Sequence, residues 1–269
     1  MKIPVILHLT DIHFSELPFY FAYWRDHNSD VHTDLLHDIK ALDPKPNFIV
    51  VSGDLSRFGE KASFKAADDF LKNLQEICGI DDKRRVVVVP GNHDVRLHWR
   101  LFSITRGLRN YRQFFRDNTV DYYSDYGVSI FGFNSNVLGL YSLFIGGHIG
   151  DDQLSEIREH FDTRRSDRGF VESVKIAVLH HHPYPIPKPK GNNFNVLRDA
   201  GKFLQQLTDW RFDIILHGHM HFPYVSTVKY LWRNEIQQEI LIVSGGTAMS
   251  RRIKPCGFNQ YGVLTIDTP

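Results

Sequence analysis

The chain carries two cysteines in 269 residues, Cys78 and Cys256. Two thiols make no disulfide framework, so the fold has to rest on its core, and the composition suits a reducing compartment. No stretch approaches the ~20 consecutive apolar residues of a membrane span. The opening run "MKIPVILHLTDIH" ends in polar residues with no small-residue cleavage site, and reads as a strand rather than a signal peptide. A soluble, cytoplasmic protein is expected. Charge of one sign is missing as well: 32 Lys+Arg against 31 Asp+Glu leave a net +1. No global field therefore draws nucleic acid or an acidic membrane, although a local patch is compatible with that balance. Internal repeats and low-complexity segments are absent. The Pro-rich stretch 180–193 is too short to separate domains. A single domain spanning 1–269 is expected, and a hydrophobic content of 42% is enough for a substantial core.

What the chain has in unusual supply is histidine, 15 residues, and the arrangement of these decides whether the excess matters. The first hundred residues alternate between two patterns. Apolar runs at 4–10, 47–53 and 85–91 read as buried strands. Between them, 32–42 places Leu35, Leu36, Ile39 and Leu42 at helical spacing with Thr33 as N-cap, and 60–79 places Phe64, Ala67, Phe70, Leu71, Leu74 and Ile77 on one face with Gly79 as a stop. This β-α-β-α-β order argues a parallel sheet covered by helices. Further on, 127–135, 174–182 and 212–218 read as strands and 151–161 and 195–210 as helices. "YVSTVKYLW", "QEILIVSGG" and "QYGVLTID" read as closing strands in an antiparallel arrangement.

Ligands of parallel α/β sheets bind outside the carboxyl ends of the strands, and here five strands deliver Asp, His or Asn to that edge. Asp11 and His13 follow the first strand, Asp54 the second, and Asn92 and His93 the third. His180, His181 and His182 follow 174–179, and His217, His219 and His221 follow 212–216. Asp, His and Asn without a thiolate form a borderline-hard metal set. Seven candidate ligands exceed the four of a single tetrahedral ion and suit two ions sharing a carboxylate. Two carboxylates against at least four positive charges leave a residual positive field, which attracts phosphate and depresses the pKa of a bound water.

The blocks "DIH" (11–13), "GD" (53–54), "GNHD" (91–94), the H-x-P of "HHHP" and "GHMH" (218–221) resemble the signature of calcineurin-like metallophosphoesterases, in order and across most of the chain. The resemblance implies an α/β fold, a four-layer α/β/β/α sandwich of two mixed β-sheets flanked by helices. The second sheet is not visible in the periodicity. Position by position, it implies one metal held by Asp11, His13, Asp54 and His221. A second would be held by Asn92, His181 and His219, with Asp54 bridging. His181 is chosen because the family's ligand sits two residues before the proline, and His180 and His182 flank it. His93 would stay off the metals and face the substrate with Asn92, acting on a phosphoryl or leaving-group oxygen, with Asp94 orienting it. The cofactor expected is a pair of divalent or trivalent ions, Mn, Fe or Zn.

The variant "DIH…GDLS…PGNHD…HGH" is similar to the class III cyclic nucleotide phosphodiesterase branch. It differs from the protein phosphatase branch, whose third block carries an arginine. The activity expected is hydrolysis of a P–O bond of a phosphodiester by a metal-bound hydroxide, on a cyclic nucleotide or another phosphate ester. A nuclease or a phosphomonoesterase is the alternative. A non-catalytic scaffold would predict lost ligands, and all seven positions are filled. The aromatic stretch 16–27 reads as the lining of a substrate mouth, as a loop folded on the core or as a homodimer contact. The segment 96–116, with Arg96, Arg100, Arg106, Arg109, Arg112 and Arg116, reads as an amphipathic helix with a solvated basic face or as a contact for nucleic acid.

Overall fold

A computed structural model describes residues 1–15, 29–95, 104–116, 119–136, 146–185, 196–232, 235–250 and 257–268. The first strand, β1 (Val5–Leu9), is followed by helix α1 (Ser29–Ala41), strand β2 (Phe48–Val51), helix α2 (Lys61–Cys78) and strand β3 (Val86–Val88). β1, β2 and β3 are parallel neighbours, and the closing strand β10 (Gly262–Thr265) adds antiparallel to β1, in the order β10-β1-β2-β3. α2 buries Phe64, Ala67, Phe70, Leu71 and Leu74, the face read from its spacing. It ends where Gly79 adopts φ 67° and returns its N–H to the carbonyls of Gln75 and Glu76. Thr33 is not the cap of α1, which already runs from Ser29, so the first turn starts upstream of the apolar periodicity.

The second sheet has the order β4-β5-β6-β7-β9-β8. Its strands are β4 (Thr119–Tyr123), β5 (Val128–Gly132), β6 (Val174–Val178), β7 (Ile214–His217), β8 (Tyr224–Trp232) and β9 (Glu235–Ser244). β5, β6, β7 and β9 run parallel, and β4 and β8 are antiparallel additions at the edges. The closing strands are thus antiparallel in part: β8 and β9 form a hairpin, while β9 inserts parallel to β7 and β10 joins the other sheet. Helices α3 (Ile104–Tyr111), α4 (Asp151–Thr163), α5 (Arg168–Glu172) and α6 (Ala200–Asp209) complete the elements named here.

Three apolar layers follow. Leu7, Leu9, Ile49 and Val51 face α1 and α2. Ala177, Leu179 and Ile215 face α4, α5 and α6 through Leu154, Phe170 and Phe203. Ile6, Phe48, Val50, Val87 and Val89 pack between the sheets against Ile130, Ile176, Val178 and Leu216. Two mixed sheets back to back with helices on both outer faces make the four-layer sandwich. Strand parity builds it, because alternate residues of each buried strand supply two different layers. The aromatic stretch 16–27 and the Arg96 and Arg100 part of the basic segment lie outside the described residues. On α3 and just beyond it Arg109, Arg112 and Arg116 are exposed, while Tyr111 is buried and Leu108 partly so.

Candidate metal centre

The parallel strands of both sheets end at the same edge, and the polar side chains that follow them converge in the gap between the sheets. Asp11, His13 and Asp54 are fully or almost fully buried, as are Asn92 and His180. Asp11 Oδ1 lies 3.2 Å from His221 Nε2 and 3.8 Å from His13 Nε2. Asp54 Oδ2 lies 3.8 Å from His13 Nε2, and Asp54 Oδ1 3.4 Å from His180 Nε2. Asn92 Oδ1 is 3.0 Å from His180 Nε2 and 2.9 Å from His219 Nδ1. Among the described residues three groups, Asp11–His13–His221, Asp11–Asp54–His180 and His13–Asp54–His93, each bring their ligand atoms within 4.8 Å of one another.

The backbone is shaped to this end. Asp11, His13, Asp54, His219 and His221 all take positive φ, between 52° and 82°. Each such non-glycine residue costs about 1–3 kcal/mol and persists only where its surroundings over-determine it. Two glycines allow the strand ends to close in. A Cβ on Gly91 would stand 2.1 Å from Asp54 Oδ1, and one on Gly218 would stand 1.8 Å from Thr10 Oγ1. Valine strand β3 is thus a post, and the Pro90-Gly91 turn delivers Asn92 beside Asp54.

Supporting hydrogen bonds aim the ligand atoms. Asp11 Oδ2 accepts from Thr10 Oγ1 at 2.7 Å and from the His219 backbone N–H at 3.0 Å. Among the described residues its buried Oδ1 makes no hydrogen bond, only the close approach to His221 Nε2. His180 Nδ1 donates to the Ser52 carbonyl at 2.8 Å, which leaves the Nε2 lone pair facing Asp54 and Asn92. His13 and His221 bring their Nε2 atoms within 3.1 Å of each other. Lone-pair atoms about 3 Å apart in a dry site are the spacing of ligands around a first-row ion held at about 2.0–2.2 Å. The donor set and that Asp11 oxygen therefore fit bound metal. The titration behaviour agrees. Burial opposes ionisation of Asp54 and Asp11, yet the neighbouring imidazoles hold both carboxyls well below their ordinary range. Burial works against a proton on His180 too, but the Asp54 and Asp11 carboxylates outweigh it and raise its pKa to about 9. A cation entering between them replaces that proton.

At two places the structure sets other groups together than the sequence suggested. The structure brings His180, not His181, to Asp54 and Asn92. His180 shares strand parity with Ile176 and Val178, which face the inter-sheet gap. His181 is also fully buried: its Nδ1 meets Ser135 Oγ at 2.8 Å, and its ring centre lies 4.6 Å from that of His219. The recorded bonds of Asp94, expected beside His93, go to the backbone. Asp94 Oδ1 accepts from the Ser56 N–H at 2.7 Å, and Oδ2 accepts from Gly91 and Leu55 at 2.8 and 3.2 Å. It buckles the loop carrying Asp54 to the loop carrying Asn92. His93 Nδ1 donates instead to the Arg57 carbonyl at 2.9 Å, and Nε2 lies 4.0 Å from Asp54 Oδ2. Thr10, Ser52 and Arg57 are the residues that reading the sequence missed. Only the blocks surrounding them carried a signal.

Residues 4–223 match the family described as calcineurin-like phosphoesterase. The chain belongs to this family. A dual-specificity cAMP/cGMP phosphodiesterase of Mycobacterium tuberculosis is 26% identical to this phosphoesterase over 250 residues, covering 90% of this chain and 71% of the relative. Among solved structures, the purple acid phosphatase PPD1 of yellow lupin superposes with a TM-score of 0.59 at 12% identity, covering 98% of this chain. The chain spans about half of the lupin protein, 48% of its length, and that likeness concerns the fold. The phosphopantetheinyl hydrolase of Mycobacterium tuberculosis is another neighbour, with a TM-score of 0.49 at 14% identity and 98% and 96% of the two chains covered. Among the described residues no helix is long and apolar enough to cross a membrane.

Proposed function

We propose that residues 1–269 form one metallophosphoesterase domain working as a binuclear metal-dependent phosphodiesterase. Cyclic nucleotides are the first substrate class to test. The observation that carries this reading is Asp54. Its Oδ1 stands beside His180 and its Oδ2 beside His13, so one carboxylate faces both halves of the ligand constellation. Asp11, His13, Asp54 and His221 hold one ion, and Asp54, Asn92, His180 and His219 the other, Mn, Fe or Zn by donor type. The relative's activity on cAMP and cGMP supports the diester preference, as does the second block "GDLSRFG", which lacks the protein-phosphatase pattern.

Two such ions, when bound, would supply Lewis acidity at phosphorus and an activated water. The chain's own part is positioning. Buried Asp11 and Asn92 present one oxygen each in fixed orientation. His93 stands at the rim of the centre, its Nδ1 proton held by a carbonyl, so its Nε2 is the atom that faces a bound phosphate. A protonated Nε2 gives its proton to the departing alkoxide oxygen. The test is chelator-stripped protein resupplied with Mn, Fe, Zn or Mg, assayed on bis-p-nitrophenyl phosphate and p-nitrophenyl phosphate, then on cAMP and cGMP. Metal-dependent cleavage with the diester faster is the expected result. A faster monoester would replace the diesterase reading with a phosphatase.

A further inference from the structure

The metal centre leaves two features of the chain unused. One is the basic segment that ends at Arg116. The other is a cavity at the open edge of the sandwich, where β3 closes one sheet and β4 the other. The cavity encloses about 350 Å³, and none of the candidate metal ligands is among the described residues that line it. One wall is apolar, with Leu71 of α2, Val86 and Val88 of β3, and Phe114 and Phe115 just beyond α3. That wall is held from inside. The buried Tyr111 hydroxyl is shared between the carbonyls of Val88 and Arg116, at 3.1 and 3.0 Å, and so ties the strand to the segment carrying both phenylalanines. The rings of Tyr111 and Phe115 lie 5.4 Å apart, and Phe114 follows at 6.3 Å from Phe115.

The rim is charged, mostly of one sign. Lys72, Lys83, Arg84 and Arg116 line the cavity against Asp68 and Asp121. Asp68 holds Lys72 at 2.6 Å, and Asp82, outside the lining, holds Arg84 at 2.8 Å. Among the described residues Lys83 and Arg116, both exposed, make no ion pair of that kind. Asp121 is half-buried. Burial raises its pKa, and Arg84 and Arg116 pull it down, so its charge is answered within the rim. Thr119 Oγ1, also in the lining, is buried and makes no hydrogen bond among the described residues.

We propose that this cavity is a second binding site, for a small organic anion in which a ring carries one phosphate or carboxylate group. The ring lies against Phe114 and Phe115, and the anionic group meets Lys83 and Arg116. The volume falls in the range of small-molecule sites, which join an apolar wall to a few placed polar groups. Phenylalanine faces favour an offset or edge-on ring, and the planar fork of an arginine matches the oxygens of a phosphate or carboxylate. An inorganic anion would leave the apolar wall uncovered, and a neutral ring would leave the cations unanswered. Both parts of the ligand are therefore required. The site is separate from the metal centre, and the inference stands whether or not that centre hydrolyses phosphate esters.

The experiment is equilibrium dialysis of AMP, 1-naphthoate and adenosine against metal-loaded protein, repeated after chelation, with circular dichroism establishing that each sample compared is folded. Saturable binding of AMP or naphthoate with a Kd below about 1 mM is expected to persist after chelation, and adenosine should bind more weakly than AMP. Binding of AMP alone would mark the ligand as a nucleotide, and binding of naphthoate alone as an aromatic carboxylate. Joint replacement Lys83→Glu and Arg116→Glu should weaken binding roughly tenfold, since one exposed charge contributes about 2–5-fold. Arg165→Glu, a reversal at a side chain 82% exposed elsewhere on the surface, should change nothing. Gln75→Trp, which adds bulk to the lining from α2, should abolish binding. Binding that vanishes with the metals would place the anion at the centre and overturn the proposal. Binding indifferent to the double reversal or to Gln75→Trp, binding as tight for adenosine as for AMP, or no binding of either anion would overturn it too.

Discussion

Replacing Asp94 by Asn should damage stability and metal retention before it damages chemistry. The Asp94 carboxylate accepts three backbone N–H bonds, from Ser56 on one oxygen and from Gly91 and Leu55 on the other. An amide of the same shape keeps one acceptor. The cheaper orientation retains Gly91 and Leu55 and points the new NH2 at the Ser56 N–H, leaving that buried donor unpaired at about 1–3 kcal/mol. The two surviving bonds lose their charge assistance, which roughly halves them. Release of a buried charge near Asp54 offsets part of this. The net expectation is a loss of about 2–4 kcal/mol in metal-loaded protein, a fall in Tm of about 5–15 °C for a chain of this size. The stripped protein should respond differently. There burial and the Asp54 charge push the Asp94 pKa up to about 7, so below that pH the wild type is already largely protonated and the substitution costs little. Urea unfolding of both forms, with bound metal measured alongside, gives the answer. Unchanged stability in the loaded protein, with kcat lowered 10²–10⁴-fold, would refute the buckle and restore Asp94 as a partner of His93.

Three further predictions follow from the same geometry. His93→Ala should slow turnover by about 10²–10⁴-fold, the range for a lost general acid, with both ions retained by elemental analysis; loss of metal would make His93 a ligand. His180→Ala should lower bound metal to about one ion per chain, while His181→Ala keeps two; the opposite pattern would return the second ligand to His181. Burial lowers the pKa of His8 from 6.5 to about 4 and that of His217 from 6.5 to about 3. Both folded values are depressed, so the unfolded chain binds more protons below pH 6.5. The stability these neutral imidazoles carry is complete above that pH and is lost as pH falls toward 4 and then 3, by roughly 3 and 5 kcal/mol. Urea midpoints of the stripped protein should therefore fall steeply below pH 6.5, less so in His217→Gln, and a flat profile from 6.5 to 4.5 would contradict this.

Much of this was legible in the sequence because strand ends and hydrophobic spacing are local. The apolar runs around β1, β2, β3, β6 and β7 needed no tertiary information, nor did the buried face of α2. Strand β4, whose first four residues are only half-buried, and the five-residue α5 left no periodic trace. The insertion of β9 between β7 and β8, and the passage of β10 to the other sheet, are long-range pairings that spacing cannot encode. At the centre the residue types were readable, but the choice among three consecutive histidines was not. Proximity to Pro183 pointed to His181, whereas the parity of β6 directs His180 into the inter-sheet gap. The backbone bonds of Asp94 were not readable for a similar reason. Adjacency to His93 in the chain says nothing about three backbone N–H groups arriving from 55, 56 and 91.

The proposed function rests most directly on two ions sharing Asp54. Manganese should be titrated into stripped protein and read by elemental analysis and electron paramagnetic resonance. Two ions per chain with an exchange-coupled signal are expected, giving way to uncoupled manganese in Asp54→Asn. A single ion in the wild type, or two that never couple, would contradict it.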